Sequence, residues 1–205
     1  MRTEQPAPWL ARAAALVRPA DPDPDHGTRV AQLAARLAVA RGWTQALAEQ
    51  LRHAAGLHDI GKHALPRSLL LERGPLTARQ RDHVVLHTHA ATWLLAGLHH
   101  PVFQLAHAVG RAHHERWDGS GYPDRLKATE IPLPARVVAA CDVWDALTHP
   151  RPYRAALPAP EAAETIGAMA GTALDPDITE SLLQLTRPCE TGPAPSGTPA
   201  ASPCC

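Results

Sequence analysis

Apolar residues in this chain recur at spacings of three and four and almost never alternate, so the pattern that most constrains the fold is helical. Val30, Leu33, Ala34, Leu37 and Ala38 share one face of a helix. Thr77 and Gln80 form a capping-box pair that predicts a helix carrying His83 and His87. Pro101 suits the first turn of another helix, ending near His113 and His114. A helix from about Thr44 to His58 is expected to stop near Gly61, a residue able to take the left-handed cap conformation. Pro134 opens a helix on which Asp142 and Asp145 share a face. A further helix is expected from Glu161 to Met169, and Asp177 and Glu180 are expected to cap the last. The expected fold class is all-α.

The 205 residues fit a single helical domain from about residue 21 to 187. Residues 1–20 read as a short helix or arm, and the Pro/Ala/Ser-rich residues 188–205 as a disordered tail. The 20 Lys plus Arg balance the 20 Asp plus Glu, so bulk attraction to nucleic acid or to an anionic membrane is not expected. Any phosphate affinity must be local. PWLARAAALVRP is apolar but interrupted by Arg12, and lacks the continuous stretch of a signal peptide or membrane span. Cys141, Cys189, Cys204 and Cys205 have neither disulfide-framework nor zinc-ribbon spacing. A soluble, cytoplasmic protein with reduced thiols is the expectation.

Against one Phe and two Tyr stand 13 His. In LHDIGKHALP, His58 and Asp59 are adjacent ligand types at a helix end, followed by a glycine turn and Lys62. In HHERWDGSGYP, His113 and His114 precede a loop whose glycines can take positive φ. A two-metal phosphodiesterase site needs imidazoles and carboxylates converging from several helices, a bridging carboxylate, and cations for phosphate. Taken singly, His26 reads as a helix-start residue, His87 as a packed histidine, and His-Asp as a surface dipeptide. Asp142 lies among apolar residues in AACDVWDAL, where an unpaired charge is costly. The two strong segments together reverse the ordinary readings.

Those segments, with DHGTRV before them, LTARQRDHVVLH between them, and IPLPARVVAACDVWDALTHPRPYR and LDPDI after them, resemble the HD-GYP family of the HD phosphohydrolase superfamily. The resemblance implies an all-α fold and a binuclear or trinuclear centre, usually iron or manganese. It also implies cyclic di-GMP as substrate, opened to the linear dinucleotide pGpG and sometimes on to GMP. Carried over, His26, His58, Asp59 and Asp142 hold one ion, and Asp59, His87, His113 and His114 the other, with Asp59 bridging. In that scheme a metal-bridging hydroxide attacks phosphorus and Lys62 neutralises a phosphate oxygen. Arg151 and Arg154 meet the substrate phosphates. Arg29, Glu115 and Asp145 orient ligands from behind. Gly121, Tyr122 and Pro123 form a pocket rim or a docking loop for a diguanylate cyclase (GGDEF) domain, with Trp117 beneath it.

One departure is informative. Three-metal members carry a glutamate four positions before the first histidine, where this chain has Pro22, so two divalent ions, Fe or Mn, are expected and pGpG is the preferred product. Asp21, Asp23 and Asp25 read as a solvated, proline-stiffened loop. His53, His63, His83, His89, His99, His100, His107 and His149 match no ligand position and are expected at the surface or partly packed. The competing readings are a non-catalytic cyclic di-GMP-binding adaptor and a phosphohydrolase acting on another nucleotide.

Overall fold

The computed structural model describes residues 23–187 except 73, 75, 76 and 151–153. The expected arm and tail lie outside these residues, as do Asp21, Pro22, Arg151, Cys189, Cys204 and Cys205. Among the described residues the chain forms α1 (His26–Ala40), α2 (Gln45–Ala55), α3 (Arg67–Leu70), α4 (Ala78–Leu95), α5 (Pro101–Ala112), α6 (Leu133–Thr148), α7 (Ala159–Met169) and α8 (Pro176–Thr186). Short 3₁₀ turns span Ile60–Ala64 and Ala128–Glu130, and no β-strand forms among these residues.

Local chemistry sets the helix starts. Thr44 accepts from the Leu47 N–H at the head of α2, and Thr77 and Gln80 close the capping box of α4. His100 caps α5 ahead of Pro101. α7 starts at Ala159, two residues before the expected Glu161, and two further boundaries differ from the sequence expectation. Asp175, not Asp177 or Glu180, caps α8, accepting from the Asp177 and Ile178 N–H groups. Pro176 takes the first helical position, which puts the cap one residue before it.

The second difference is at α2, which stops at Ala55, so His58 and Asp59 lie in the turn leading into the 3₁₀ segment. Positive φ among the described glycines occurs at Gly42, Gly97, Gly119 and Gly171, not at Gly61. Gly61 is required for another reason: a Cβ there would sit 1.8 Å from the His87 carbonyl oxygen. The 3₁₀ turn lies directly on the backbone of α4.

The main core joins α1, α2, α6, α7 and α8. Ala34, Ala38, Ala48, Ala55 and Ala140 are excluded from solvent and let helix backbones approach, while Leu37, Leu51, Ile166, Ile178 and Leu182 fill the remaining space. Each of those larger side chains contributes roughly 1.5–3 kcal/mol by burial. A smaller cluster of Ala54, Leu57, Leu95 and Ala106 ties α2, α4 and α5 together beneath the His58–Asp59 turn. The packing brings the start of α1, the exit of α2, the middle of α4, the exit of α5 and the body of α6 to one place. No helix of the described residues is long and apolar enough to cross a membrane.

Candidate metal centre

Seven side chains meet there in two groups. Asp59, His87, His113 and His114 form one and His26, His58 and Asp142 the other, with the potential ligand atoms of each within 4.8 Å of one another. Asp59 stands between them. Its Oδ2 is 3.2 Å from His58 Nε2, while its Oδ1 is 3.6 Å from His87 Nε2 and 3.7 Å from His113 Nε2. On the far side His26 Nε2 is 3.1 Å from Asp142 Oδ1.

Four of the five imidazoles have their tautomer fixed from behind. His58 Nδ1 lies 2.8 Å from the Ala55 carbonyl oxygen, His87 Nδ1 2.5 Å from that of Val84, and His113 Nδ1 3.0 Å from that of Val109. His26 Nδ1 lies 2.7 Å from Asp145 Oδ2. A carbonyl or carboxylate oxygen can only accept, so in each ring Nδ1 carries the proton, and in His58, His87 and His113 Nε2 is left with its lone pair facing inward. His58 Nε2, His87 Nε2, His113 Nε2 and Asp59 Oδ1 are buried with no hydrogen-bond partner among the described residues. Leaving one such group unpaired costs about 1–3 kcal/mol, and four around one space are the signature of cation ligands. Imidazole and carboxylate donors suit a divalent transition metal.

The electrostatics agree. Burial alone would raise the Asp59 carboxyl, yet Lys62 and His58 hold it well below the usual carboxylate range. Burial acts the same way on Asp142, and His26 and His58 overcome it, leaving that group ionised too. Burial pushes His87 down to about 4, and burial with the neighbouring His113 pushes His114 well down. His58 moves the other way: burial would lower it, but adjacent Asp59 raises it. An imidazole kept neutral in the fold contributes stability that is fully present above its unfolded pKa of 6.5 and is lost as pH falls towards 4. Two such downward shifts against one upward shift give an expected outcome. Metal-free protein should melt at lower temperature at pH 5 than at pH 7, measured by circular dichroism, and an unchanged or higher Tm at pH 5 would contradict it.

A supporting layer lies behind His26. Arg29 donates from Nε to Asp145 Oδ1 at 2.6 Å and from Nη2 to Asp145 Oδ2 at 2.9 Å, and its Nη2 also reaches Asp23 Oδ2 at 2.5 Å. Asp23 is therefore paired rather than a freely solvated loop residue. His149 Nδ1 comes within 3.1 Å of Asp145 Oδ1, a contact that its lack of a motif position concealed but its spacing of four from Asp145 on α6 permits. Replacing Asp145 by Asn should weaken metal binding by the His26 group roughly 10–100-fold, the usual penalty for losing a ligand's orienting partner. Titration with Mn(II) checks this, and unchanged affinity would remove Asp145 from that role.

The other sequence candidates are placed less uniformly. Lys62 Nζ pairs with Asp59 Oδ2 at 2.5 Å while remaining partly exposed. Arg154 donates to the Ala146 carbonyl in the last turn of α6. Glu115 accepts from the N–H groups of Asp124 and Leu126, so its carboxylate braces the loop after α5 and no hydrogen bond joins it to a ligand imidazole. In that loop Gly121 is tight against the chain, since a Cβ would sit 2.3 Å from the Arg116 nitrogen. The Tyr122–Pro123 peptide is cis. The Tyr122 ring turns inward over His114, centroids 4.9 Å apart and planes inclined by 33°. Burial and the charge of Asp59 push its phenol up to about 12, so it is protonated at neutral pH. Trp117 is half-buried, with the Arg136 guanidinium 5.7 Å from its ring centre.

The sequence pattern of the HD domain matches residues 8–178. A cyclic di-GMP phosphodiesterase of Thermotoga maritima is 37% identical over 162 residues, which is 79% of this chain and 44% of that protein. A 3'3'-cGAMP-specific phosphodiesterase of Vibrio cholerae is 35% identical over 159 residues, 78% of this chain and 30% of that protein. This chain thus spans less than half the length of either relative. Among solved structures, an HDG"Y"P protein from Bdellovibrio bacteriovorus superposes with a TM-score of 0.63 at 20% identity, covering 85% of this chain and 57% of that one, which supports the fold. The chain belongs to the HD-domain family.

Proposed function

We propose that this domain is a metal-dependent phosphodiesterase that opens cyclic di-GMP to the linear dinucleotide pGpG. The observation that carries this reading is the set of inward-facing, buried and unpartnered ligand atoms on either side of Asp59. His26, His58, Asp59 and Asp142 would hold one ion and Asp59, His87, His113 and His114 a second, Fe or Mn by donor type. Two such ions supply charge to the phosphodiester and activate water.

The chain's own groups do the rest. Asp59 turns Oδ2 to His58 and Oδ1 to His87 and His113, so its carboxylate would be the charge that both groups share in holding the ions. The neutral imidazoles keep their lone pairs available at physiological pH. Lys62, held at Asp59 but reaching solvent, presents its ammonium to a phosphate oxygen as charge develops there. Water adds across the P–O3' bond, its hydroxyl going to phosphorus and a proton to the departing ribose oxygen. Gly121 is buried and Tyr122 faces inward, so a GGDEF-domain partner on this loop would meet Pro123 and the exposed Asp124 and Arg125.

A second substrate is favoured by one observation, the 35% identity to a 3'3'-cGAMP-specific enzyme. The test is product analysis by chromatography on anaerobically purified protein loaded with Fe(II) or Mn(II) and given each cyclic dinucleotide in turn. Turnover of cyclic di-GMP to pGpG is expected. Turnover of 3'3'-cGAMP alone would move the substrate assignment, and no turnover by fully metallated protein would leave a binding module.

A further inference from the structure

Of the five imidazoles in the centre, His114 is held differently. Hydrogen bonds from Nδ1 orient His26, His58, His87 and His113, three of them to main-chain oxygens. His114 makes no side-chain hydrogen bond among the described residues. What surrounds its ring is other rings: His113 at 4.0 Å, His87 at 5.0 Å and Tyr122 at 4.9 Å between centroids. His113 and His87 belong to the same metal group, so among these rings Tyr122 is the one that comes from outside it.

The loop is built to keep Tyr122 there. Its N–H donates to the His114 carbonyl oxygen at 3.3 Å, which ties the backbones of the stacked pair together. Glu115, next in sequence to His114, accepts from the Asp124 and Leu126 N–H groups and draws the far side of the loop back to the same turn. Gly121 permits the approach, because any side chain would collide with the backbone of Glu115 and Arg116. An inclined ring pair at this separation limits rotation of the imidazole about its own bonds, which is the task a carbonyl performs for His58, His87 and His113 and a carboxylate for His26.

We infer that Tyr122 is a positioning residue whose ring sets the orientation of His114 towards the ion shared by Asp59, His87 and His113. The inference rests on the two-metal reading above. It assigns the work to the aromatic face and not to the phenol oxygen, so Tyr122→Phe and Tyr122→Leu should behave differently although both lose the hydroxyl.

The experiment is titration of metal-free full chain with Mn(II), read by calorimetry for stoichiometry and affinity, with circular dichroism as the control for folding. Wild type should take two ions. Tyr122→Leu should retain one at unchanged affinity and bind the other about 10-fold or more weakly, in line with other losses of a ligand's outer partner. Tyr122→Phe should match wild type within about threefold, a smaller change than any outer-partner loss. Two unchanged ions in Tyr122→Leu would overturn the inference while leaving the metal centre intact. Equal weakening in Leu and Phe variants would overturn it in favour of the hydroxyl. Wild type that takes no ion would sink the two-metal reading itself. Should the Leu variant misfold, Tyr122→Met supplies the same non-aromatic comparison.

Discussion

Asp59→Asn is expected to abolish turnover, lowering kcat by roughly 10³-fold or more, since forfeiting about 4 kcal/mol of metal-borne charge stabilisation corresponds to that factor. The amide keeps the shape of the carboxylate but removes the one negative charge that faces both ligand groups. Metal content should fall in both groups together, and this separates Asp59 from any ligand serving one ion. Stability should fall as well. The metal-free variant loses the buried charge that Lys62 and His58 hold ionised, so it should melt lower than metal-free wild type. Wild type with metal at 100 times Kd should gain about 2.7 kcal/mol, and the variant should lack that gain. Activity, bound metal by elemental analysis and paired melts check the three parts, and an active Asp59→Asn protein would dismiss the bridging role.

Gly61→Ala is the second large effect, and it originates in packing rather than charge. The added methyl would lie 1.8 Å from the His87 oxygen, 2.7 Å from the Ala91 nitrogen and 2.8 Å from the His87 carbonyl carbon. All three belong to the α4 backbone, which cannot step aside as a flexible side chain would. The 3₁₀ turn must lift away, at a cost of about 3 kcal/mol, the upper end for overpacking. For a domain of this size that lowers Tm by roughly 6–12 °C. Because Asp59 precedes the turn and His87 is the obstructing residue, the separation of these two ligands should grow and metal affinity should drop as well. A variant with wild-type Tm and metal content would show that the turn and α4 are not in such contact.

Much of this was legible in the sequence. Helix starts were readable where one side chain decides them, as Thr77 and Gln80 do for α4. The seven ligand candidates were legible because each occupies a position in an ordered run of motifs, and the fold brings all of them within one region. What escaped depends on distance across the fold. The role of Gly61 is hidden because a glycine tolerated for its φ and a glycine required by a neighbouring helix look identical in sequence. Asp23 escapes because its link to the centre runs through Arg29 to Asp145, 116 residues beyond Arg29, and His149 because its spacing of four from Asp145 carries no motif to mark it. Glu115 carries a ligand-like neighbourhood in HHE, but its acceptors are filled by main-chain donors of the following loop.

The way the rings are held also determines where such a centre is vulnerable to genetic drift. For His58, His87 and His113 the orienting acceptor is a peptide oxygen three or four residues upstream, and no codon change at Ala55, Val84 or Val109 deletes it. Only His26 and His114 lean on exchangeable side chains, Asp145 and Tyr122. A lineage that abandoned catalysis without touching a ligand would therefore be expected to leave its mark first at those two positions.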